Sequence, residues 1–197
     1  VDLQGLSMLH SDTFAVAIQQ WQQLLGDDQV VTHNEQMQLA ATATFLTTSQ
    51  VLAILRPDKS QIAECLKIAS AFNIAVYPIS SGKNCGYGSR ETSSLQAVLL
   101  DLIRLKTISD YQPQQHVIRV EAGVTQRELA EFLQQQGGTD WMDCTGSHPD
   151  CSIVGNTVER GFGHTPYGEH ANFIAGLEVM LADGSVIQTG FHRFAGA

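Results

Sequence analysis

Apolar side chains recur at helical spacing in three segments of the chain. The sequence SDTFAVAIQQWQQLLG, residues 11–26, carries an apolar face and ends at a glycine, which predicts an amphipathic helix. Asp58 and Gln61 stand at capping-box spacing ahead of a second apolar face. Thr125 and Glu128 repeat that spacing ahead of QRELAEFLQQQ, which two glycines follow. We therefore expect three helices.

Short apolar runs between these segments predict strands. Val51 to Leu55 is one such run, and Pro57 ends it. The others are IAVYPI (74–79), LQAVLLDL (95–102), HVIRVEAG (116–123) and a hairpin over residues 172–190 that turns at ADGS. An early strand-helix-strand unit followed by a later hairpin predicts an α+β fold of two subdomains.

The expected organisation has an N-terminal helical extension, a main domain and a short tail. These cover residues 1–47, 48–190 and 191–197. The main domain is expected to divide into subdomains 48–110 and 111–190, because SDYQPQQ (residues 109–115) is polar and contains proline. Residues 35–49 are weakly patterned and are expected to be largely irregular.

The composition is that of an ordinary globular protein, since 43% of the 197 residues are hydrophobic and 16% are charged. The formal net charge of −9 argues against nucleic acid as a partner, because duplex binding needs clustered Lys and Arg. The four cysteines show no zinc-ligand spacing, so we expect no metal site. Neither a signal peptide nor a membrane-spanning run is evident, and the cytoplasm is the expected compartment.

The most unusual stretch is YPISSGKNCGYGS, residues 77–89, in which three glycines directly follow a predicted strand. It fits neither the Walker pattern Gly-x-x-x-x-Gly-Lys-Ser/Thr nor the Rossmann pattern Gly-x-Gly-x-x-Gly. What remains is a loop whose backbone amides converge on an anion, since glycine permits positive φ. A glycine-rich turn without a ligand explains this loop equally well when the loop is considered alone.

A second glycine-rich region, TGSHPDCSIVGNTVERGFGHTPYGEH, runs from Thr145 to His170. It buries little apolar surface for its length, so it is a poor connector between elements. Backbone that lies close against a flat, polar-edged ligand explains it better. The two regions together therefore favour a ligand site.

Four motifs resemble the FAD-binding domain of the vanillyl-alcohol oxidase/p-cresol methylhydroxylase flavoproteins. They are PISSGKNCGYGS, VEAGVTQREL, SIVGNTVERGFGHTPYGEH and GLEVMLADGSVIQTG. They occur in the family's order, and GNTVERGFGHTPYGEH is most similar to the branch that oxidises 4-alkylphenols. The resemblance implies an α+β domain of two subdomains that hold FAD between them, and it assigns residues 48–190 to that domain.

The resemblance also implies cofactor contacts. Residues 80–88 would hold the pyrophosphate, Gly123 would approach the adenosine half, and the second glycine-rich region would line the flavin side. The implied cofactor-binding residues are Ile79, Ser80, Ser81, Gly82, Lys83, Asn84, Cys85, Gly86, Tyr87, Gly123, Ser147, Cys151, Gly155, Asn156, His164, Thr165, Tyr167, Gly168 and Ile187.

Two residues are candidates for a direct part in the chemistry. Tyr87 stands where phenol-oxidising relatives place a tyrosine that holds the substrate phenolate, although a packing tyrosine is the alternative. Asp150 is the acidic group closest in sequence to the implied flavin segment. Glu159 and Arg160 are expected to form a structural ion pair.

Cysteine and histidine near the implied flavin allow two interpretations. Cys151 lies where the bicovalent sugar oxidases carry a flavin-bonded cysteine, but Asn84 stands where those enzymes have a histidine, so we expect a free thiol. The histidines at positions 148, 164 and 170 either contact the cofactor or are half-exposed and satisfied by the backbone.

The reaction implied by the resemblance is hydride transfer to the flavin from a para-substituted phenol or another alcohol. Full-length relatives continue with a substrate domain, so we expect a missing substrate domain or a partner chain to complete the site for a small-molecule substrate. The alternatives are a stand-alone FAD-binding module, an electron-transfer partner without its own substrate site, and an FAD-dependent reductase of the same fold. A protein that has lost the flavin is disfavoured, because the glycines of the motifs are retained.

Overall fold

The structure is a computed structural model that describes residues 11–33, 49–84, 92, 94 and 96–190. The helices are α1 (Ser11–Leu25), α2 (Ile62–Ala71), α3 (Gln126–Gln135) and α4 (Ile153–Val158). The strands are β1 (Val30–Val31), β2 (Gln50–Leu55), β3 (Val76–Ile79), β4 (Gln96–Asp101), β5 (Ile108–Gln112), β6 (Val117–Val120), β7 (Glu178–Met180) and β8 (Val186–Gln188). The weakly patterned residues 35–48 and the expected tail lie outside the described residues.

Four strands form one sheet in the order β1-β2-β4-β3. β2 and β3 both run parallel to β4, whereas the edge strand β1 pairs antiparallel with β2. The parallel strands therefore end at the same edge of the sheet. The glycine loop begins at that edge, directly after β3, which is where open parallel sheets bind ligands.

Helices α1 and α2 pack together in the main core of this sheet. Trp21 of α1 is fully buried, and its Nε1 donates to the Cys65 carbonyl oxygen of α2 at 3.2 Å. The capping box predicted at Asp58 and Gln61 is present and leads into α2 through a 3-10 turn. The N-terminal helix therefore contributes to the core of the sheet, while the predicted domain limits stay a prediction.

A second core forms between the β5–β6 hairpin and α3, where Leu129 and Leu133 are buried. The capping box predicted at Thr125 and Glu128 begins α3. The segment 109–115, expected to be a polar connection, instead begins within β5, which pairs antiparallel with β6. No side chain of β5 is fully buried, which explains why its sequence is polar enough to resemble a linker.

The hairpin predicted around ADGS is present as β7 and β8, which pair antiparallel. It packs beside α2, since a Cβ on Gly184 would lie 3.2 Å from the Cβ of Ala63. Lys59, just before α2, forms an ion pair with Glu178 at 2.8 Å. Among the described residues, no helix has the length and apolar character needed to cross a bilayer.

Candidate cofactor-binding site

Three chain segments meet at the start of the glycine loop. Ser80 Oγ and Ser152 Oγ both donate to the carbonyl oxygen of Ala122, at 2.6 and 2.8 Å. Ser81 is buried, and its Oγ accepts a hydrogen bond from Ser152 N at 3.1 Å. Ser152 also caps α4 by accepting from Gly155 N. The loop is thereby fixed against the first turn of α4.

The carbonyl oxygen of Lys83 is a second anchor of the loop. Ser147 Oγ donates to it at 3.3 Å, and Cys151 Sγ donates to it at 2.9 Å. Cys151 is fully buried, and its sulfur accepts from His148 N at 3.2 Å. These two side chains hold the loop in place, and their implied contact with the cofactor stays a prediction.

Three backbone amides at the described start of the loop could bind a ligand. No described residue accepts a hydrogen bond from the N–H groups of Gly82, Lys83 or Asn84. Gly82 has a φ of +62°, a left-handed conformation that glycine adopts at little cost. Successive amides around such a residue form a concavity that binds anions.

Two glycines of the second region make room for protein side chains. A Cβ on Gly163 would lie 1.9 Å from Asp143 Oδ1. A Cβ on Gly161 would lie 2.3 Å from the side-chain amide of Asn156. At these positions buried polar side chains occupy the space that a Cβ would need, and close approach of the region to a flat ligand stays a prediction.

Those side chains belong to a row of polar residues that we call the polar relay: Asn84, Asn156, His170, Asp143 and Thr165. Asn156 Nδ2 donates to Asn84 Oδ1 at 3.4 Å, and His170 Nδ1 lies 2.5 Å from Asn156 Oδ1. His170 Nε2 lies 3.7 Å from Asp143 Oδ2. Thr165 Oγ1 donates to the same carboxylate oxygen at 2.8 Å. The relay joins the glycine loop to α4 and to the end of the second glycine-rich region.

The three cysteines that the structure describes are free thiols. Burial, followed by the charge of Glu64, raises the pKa of Cys65 to about 12. Burial, followed by the charge of Asp143, also raises the pKa of Cys144. These two thiols are therefore protonated at neutral pH and are poor nucleophiles. Cys151 forms no disulfide, and its hydrogen bonds tie it to the loop, while a thiol that stays unbonded to the flavin remains a prediction.

A cavity of about 340 Å³ lies beside the loop. Its lining includes three cationic side chains, Lys83, Lys106 and Arg127, and two acidic ones, Glu128 and Asp150. Arg127 Nε donates to Asp150 Oδ1 at 2.7 Å, and this bond holds the pKa of the Asp150 carboxyl below its usual range. The acid considered as a catalytic candidate is thus a charged partner of an arginine on α3.

Several other residues of the implied contact set have neighbours within the protein. Gly123 N donates to Leu105 O at 2.8 Å, and a Cβ on Gly123 would lie 2.6 Å from that same oxygen. The ring of His164 occupies the space of a Cβ on Gly146. Ile79 ends β3 and packs against the sheet core. A contact of these residues with the cofactor stays a prediction.

Tyr167 and Ile187 are exposed, at 60% and 43% of their surface. The Tyr167 ring packs against the rings of Trp141 and Phe173, with centroid distances of 5.7 and 6.2 Å. Within the part of the chain that the structure describes, no hydrogen bond joins either residue to the loop. The predictions for Cys85, Gly86 and Tyr87 fall outside the described residues.

The ion pair expected between Glu159 and Arg160 is wrong. α4 ends at Val158, and Arg160 adopts a left-handed φ of +59° where the chain reverses. Its Nη2 instead pairs with Glu169 Oε2 at 2.6 Å. Gly168 also has a left-handed φ, of +82°, which favours glycine there.

Comparison with known proteins decides the family. Residues 51–190 match the family described as FAD binding domain. The chain belongs to this family. This FAD-binding domain is 38% identical to 1'-carboxy-chondrochloren decarboxylase of Chondromyces crocatus, over 92% of this chain and 34% of that protein. It is 31% identical to the 4-cresol dehydrogenase (hydroxylating) flavoprotein subunit of Pseudomonas putida, over 93% of this chain and 36% of that protein.

The solved structure of p-cresol methylhydroxylase with substrate bound matches this domain with a TM-score of 0.88 at 30% identity. The match covers 96% of this chain and 38% of that chain. The predicted α+β fold of the p-cresol methylhydroxylase type is confirmed, and so is FAD as the cofactor. The domain spans about a third of the length of the curated relatives described above.

The residues present fit FAD. Its diphosphate is a compact dianion, and three successive amides at Gly82, Lys83 and Asn84 have no acceptor among the described residues. The Lys83 side chain adds a positive charge in a domain that is acidic overall. A few well-placed donors are sufficient to bind a diphosphate, which agrees with the anion-binding loop predicted from the sequence.

Asp143 is the residue of the polar relay that sequence reasoning missed. Its ion-pair partner His170 is 27 positions away in the sequence, and the segment between them is mostly irregular apart from α4. One signal was available, because Asp143 directly follows Trp141 and Met142, and an acid in apolar surroundings often has a buried partner.

Proposed function

We propose that this domain is the FAD-binding part of an oxidoreductase that takes a hydride from a para-substituted phenol or another alcohol. The observation that carries the proposal is the row of available amides at Gly82–Asn84 in a chain of the FAD-binding family. When bound, FAD supplies the hydride acceptor. The residues of the chain bind the diphosphate, orient the cofactor and hold the loop rigid.

We place the ADP half of the cofactor in the cavity beside the loop. Ser81 and Lys83 line it from the loop, and Thr125 and Arg127 line it from the start of α3. Its volume of about 340 Å³ suits part of a nucleotide, since small-molecule sites are commonly about 300–1,000 Å³. The excess of cationic over acidic side chains favours an anionic ligand.

A further domain or a partner chain is proposed to complete the substrate site. The domain covers only about a third of its curated relatives, so substrate groups are expected elsewhere. Trp141, Tyr167 and Phe173 form an exposed aromatic cluster that such a domain would cover. Without that cover the domain would act as a stand-alone FAD-binding module.

The 38% identity to a decarboxylase favours a second candidate function. In an oxidative decarboxylation, the substrate would lose CO2 and pass two electrons to FAD. This candidate uses the same cofactor site and differs only in the substrate. Release of CO2 from a carboxylated substrate, together with bleaching of the flavin, would favour it over phenol oxidation.

The first test is the absorbance spectrum of the purified domain before and after acid precipitation. A flavin band that moves into the supernatant is the expected result, because the Cys151 thiol is buried and hydrogen-bonded. Colourless protein that also fails to bind added FAD would overturn the proposal. Anaerobic addition of 4-alkylphenols and, separately, of a reduced nicotinamide then distinguishes phenol oxidation from a reductase of the same fold.

A further inference from the structure

Two buried atoms without hydrogen-bond partners belong to one pair of residues. Among the described residues, Asp143 Oδ1 and His170 Nε2 are buried side-chain atoms that lack a partner. The Asp143 side chain is 4% exposed and that of His170 is 12% exposed. Thr165 donates to Asp143 Oδ2, but a buried carboxylate without a counter-charge is still strongly unfavourable, and a proton on His170 would supply that charge.

The hydrogen bonds around the pair fix where that proton lies. Asn156 Nδ2 donates to Asn84, so Asn156 Oδ1 is the acceptor for His170, and His170 Nδ1 must carry a hydrogen. A neutral His170 would then direct the Nε2 lone pair at the carboxylate of Asp143. A second ring hydrogen on Nε2 converts that repulsion into attraction.

Thr165 supports the same assignment from the other side of the carboxylate. Its Oγ1 accepts from Tyr167 N at 3.2 Å, and its own hydrogen is directed to Asp143 Oδ2 at 2.8 Å. Oδ2 is therefore an acceptor, as in a charged carboxylate. No lysine or arginine of the described ranges forms an ion pair with Asp143, so His170 is the available counter-charge.

The other ionisable groups close to the pair do not offer an alternative proton. The thiol of Cys144 is next in sequence, and burial followed by the charge of Asp143 raises its pKa. Glu169, next to His170, already pairs with Arg160 at 2.6 Å on the surface. The ring of His164 lies over Gly146 and is exposed.

We propose that His170 carries a hydrogen on both ring nitrogens and faces the Asp143 carboxylate as an ion pair across 3.7 Å, and that its Nδ1–H fixes the side-chain amides that serve the cofactor loop. With Nδ1 donating, Asn156 can present only its NH2 group to Asn84. Asn84 then accepts through Oδ1 and keeps its own NH2 group beside Gly155, where a Cβ would be 3.6 Å away. Every hydrogen bond from His170 to Asn84 is thus donated in the same direction, and the side-chain NH2 group of Asn84 is left as a donor suited to an anion. Asp143 and His170 act as positioning residues, and only this last step rests on FAD binding.

The test uses 13C,15N-labelled protein without added FAD at pH 8, with the ring signals of His170 assigned through bonds to its own backbone resonances. We expect hydrogens on both ring nitrogens of His170 in the wild type and on Nδ1 alone in D143N. A wild-type His170 with a single ring hydrogen would overturn the charged pair. This spectrum needs no variant to fold in order to decide the first step.

Calorimetric titration with FAD tests the second step. We expect D143N to bind FAD about tenfold more weakly, the effect of misdirecting one hydrogen bond to a charged group. D140N is the matched control, because Asp140 pairs with an exposed histidine, and its FAD affinity and His170 spectrum should equal those of the wild type. Wild-type affinity in D143N would overturn the positioning role, and H170Q takes its place if D143N does not fold. A wild type that binds no FAD would overturn the cofactor site alone, since the His170 spectrum is read without it.

Discussion

Two histidine–aspartate pairs that start from neighbouring positions in the chain lie in opposite environments. Asp140 Oδ1 lies 2.6 Å from His116 Nδ1, and the side chains are 14% and 74% exposed. Asp143 Oδ2 lies 3.7 Å from His170 Nε2, and the side chains are 4% and 12% exposed. The pair with the shorter distance is at the surface, and the pair with the longer distance is buried.

The comparison shows that distance alone does not rank the two pairs. Water screens the exposed pair, and holding an exposed side chain still costs conformational entropy, so such pairs contribute about 0–1 kcal/mol. In the interior, removal of one partner leaves an uncompensated charge. The buried pair also has neighbours in the polar relay on both sides, whereas His116 contacts only Asp140 among its described hydrogen-bond partners.

The largest effect is expected from breaking the buried pair. D143A should lower the free energy of unfolding by roughly 3–5 kcal/mol, because His170 loses its counter-charge inside the protein. Double-mutant cycles in urea, with D143A/H170A for the buried pair and D140A/H116A for the surface pair, measure each coupling energy. We expect a clearly larger coupling for the buried pair, and equal couplings would contradict the comparison.

A second prediction concerns the space that the buried carboxylate occupies. G163A would place a Cβ 1.9 Å from Asp143 Oδ1, and we expect a loss of about 1–3 kcal/mol from overpacking. G146A is the matched control, since its Cβ would meet the ring of His164 at 2.1 Å, but that ring is exposed and can move. Thermal unfolding of both variants should show the larger shift for G163A. A comparable shift for G146A would mean that burial does not decide the outcome.

Local sequence rules predicted the elements whose causes are local. Both capping boxes, at Asp58 and at Thr125, are present because a cap needs only residues three apart. The hairpin at ADGS formed for the same reason. Helix α4 was not foreseen, since its six residues contain a glycine and an asparagine and have no periodic apolar face. Its Ser152 cap is again local and was a usable signal.

The glycine loop could be singled out from the sequence, but the contacts that hold it in place could not. The glycine loop pointed to an anion, yet Ser80 and Ser147 bind backbone carbonyls that come from other parts of the chain. The second glycine-rich region was interpreted as backbone beside a ligand, and at Gly163 the carboxylate of Asp143 occupies the space of a Cβ. Such contacts depend on tertiary packing. A glycine in the sequence does not show which side chain lies where its Cβ would be.

Acid should remove the stabilisation that Asp140 contributes to the surface pair, and this loss can be measured. A hydrogen bond from Tyr111, followed by that from His116, holds the pKa of Asp140 below its usual range. The pKa is lower in the folded state, so this stabilisation is present above the unfolded value of about 3.9 and is lost as the pH falls through the folded value. Urea unfolding from pH 7 to pH 2.5 should show the difference between wild type and D140N shrink below about pH 4. A difference that persists at pH 2.5 would mean that Asp140 acts through packing.

The smallest effect is expected from H116G, which removes the exposed partner. His116 has a left-handed φ of +56°, a conformation that costs a non-glycine residue roughly 1–2 kcal/mol. Glycine relieves this strain, but it adds about 0.5–1 kcal/mol of unfolded-state entropy and removes a surface pair worth up to about 1 kcal/mol. These contributions nearly cancel, so the free energy of unfolding should change by less than about 0.5 kcal/mol. A loss as large as that of D143A would show that exposure does not weaken the Asp140 pair, and the contrast between the two pairs would fail.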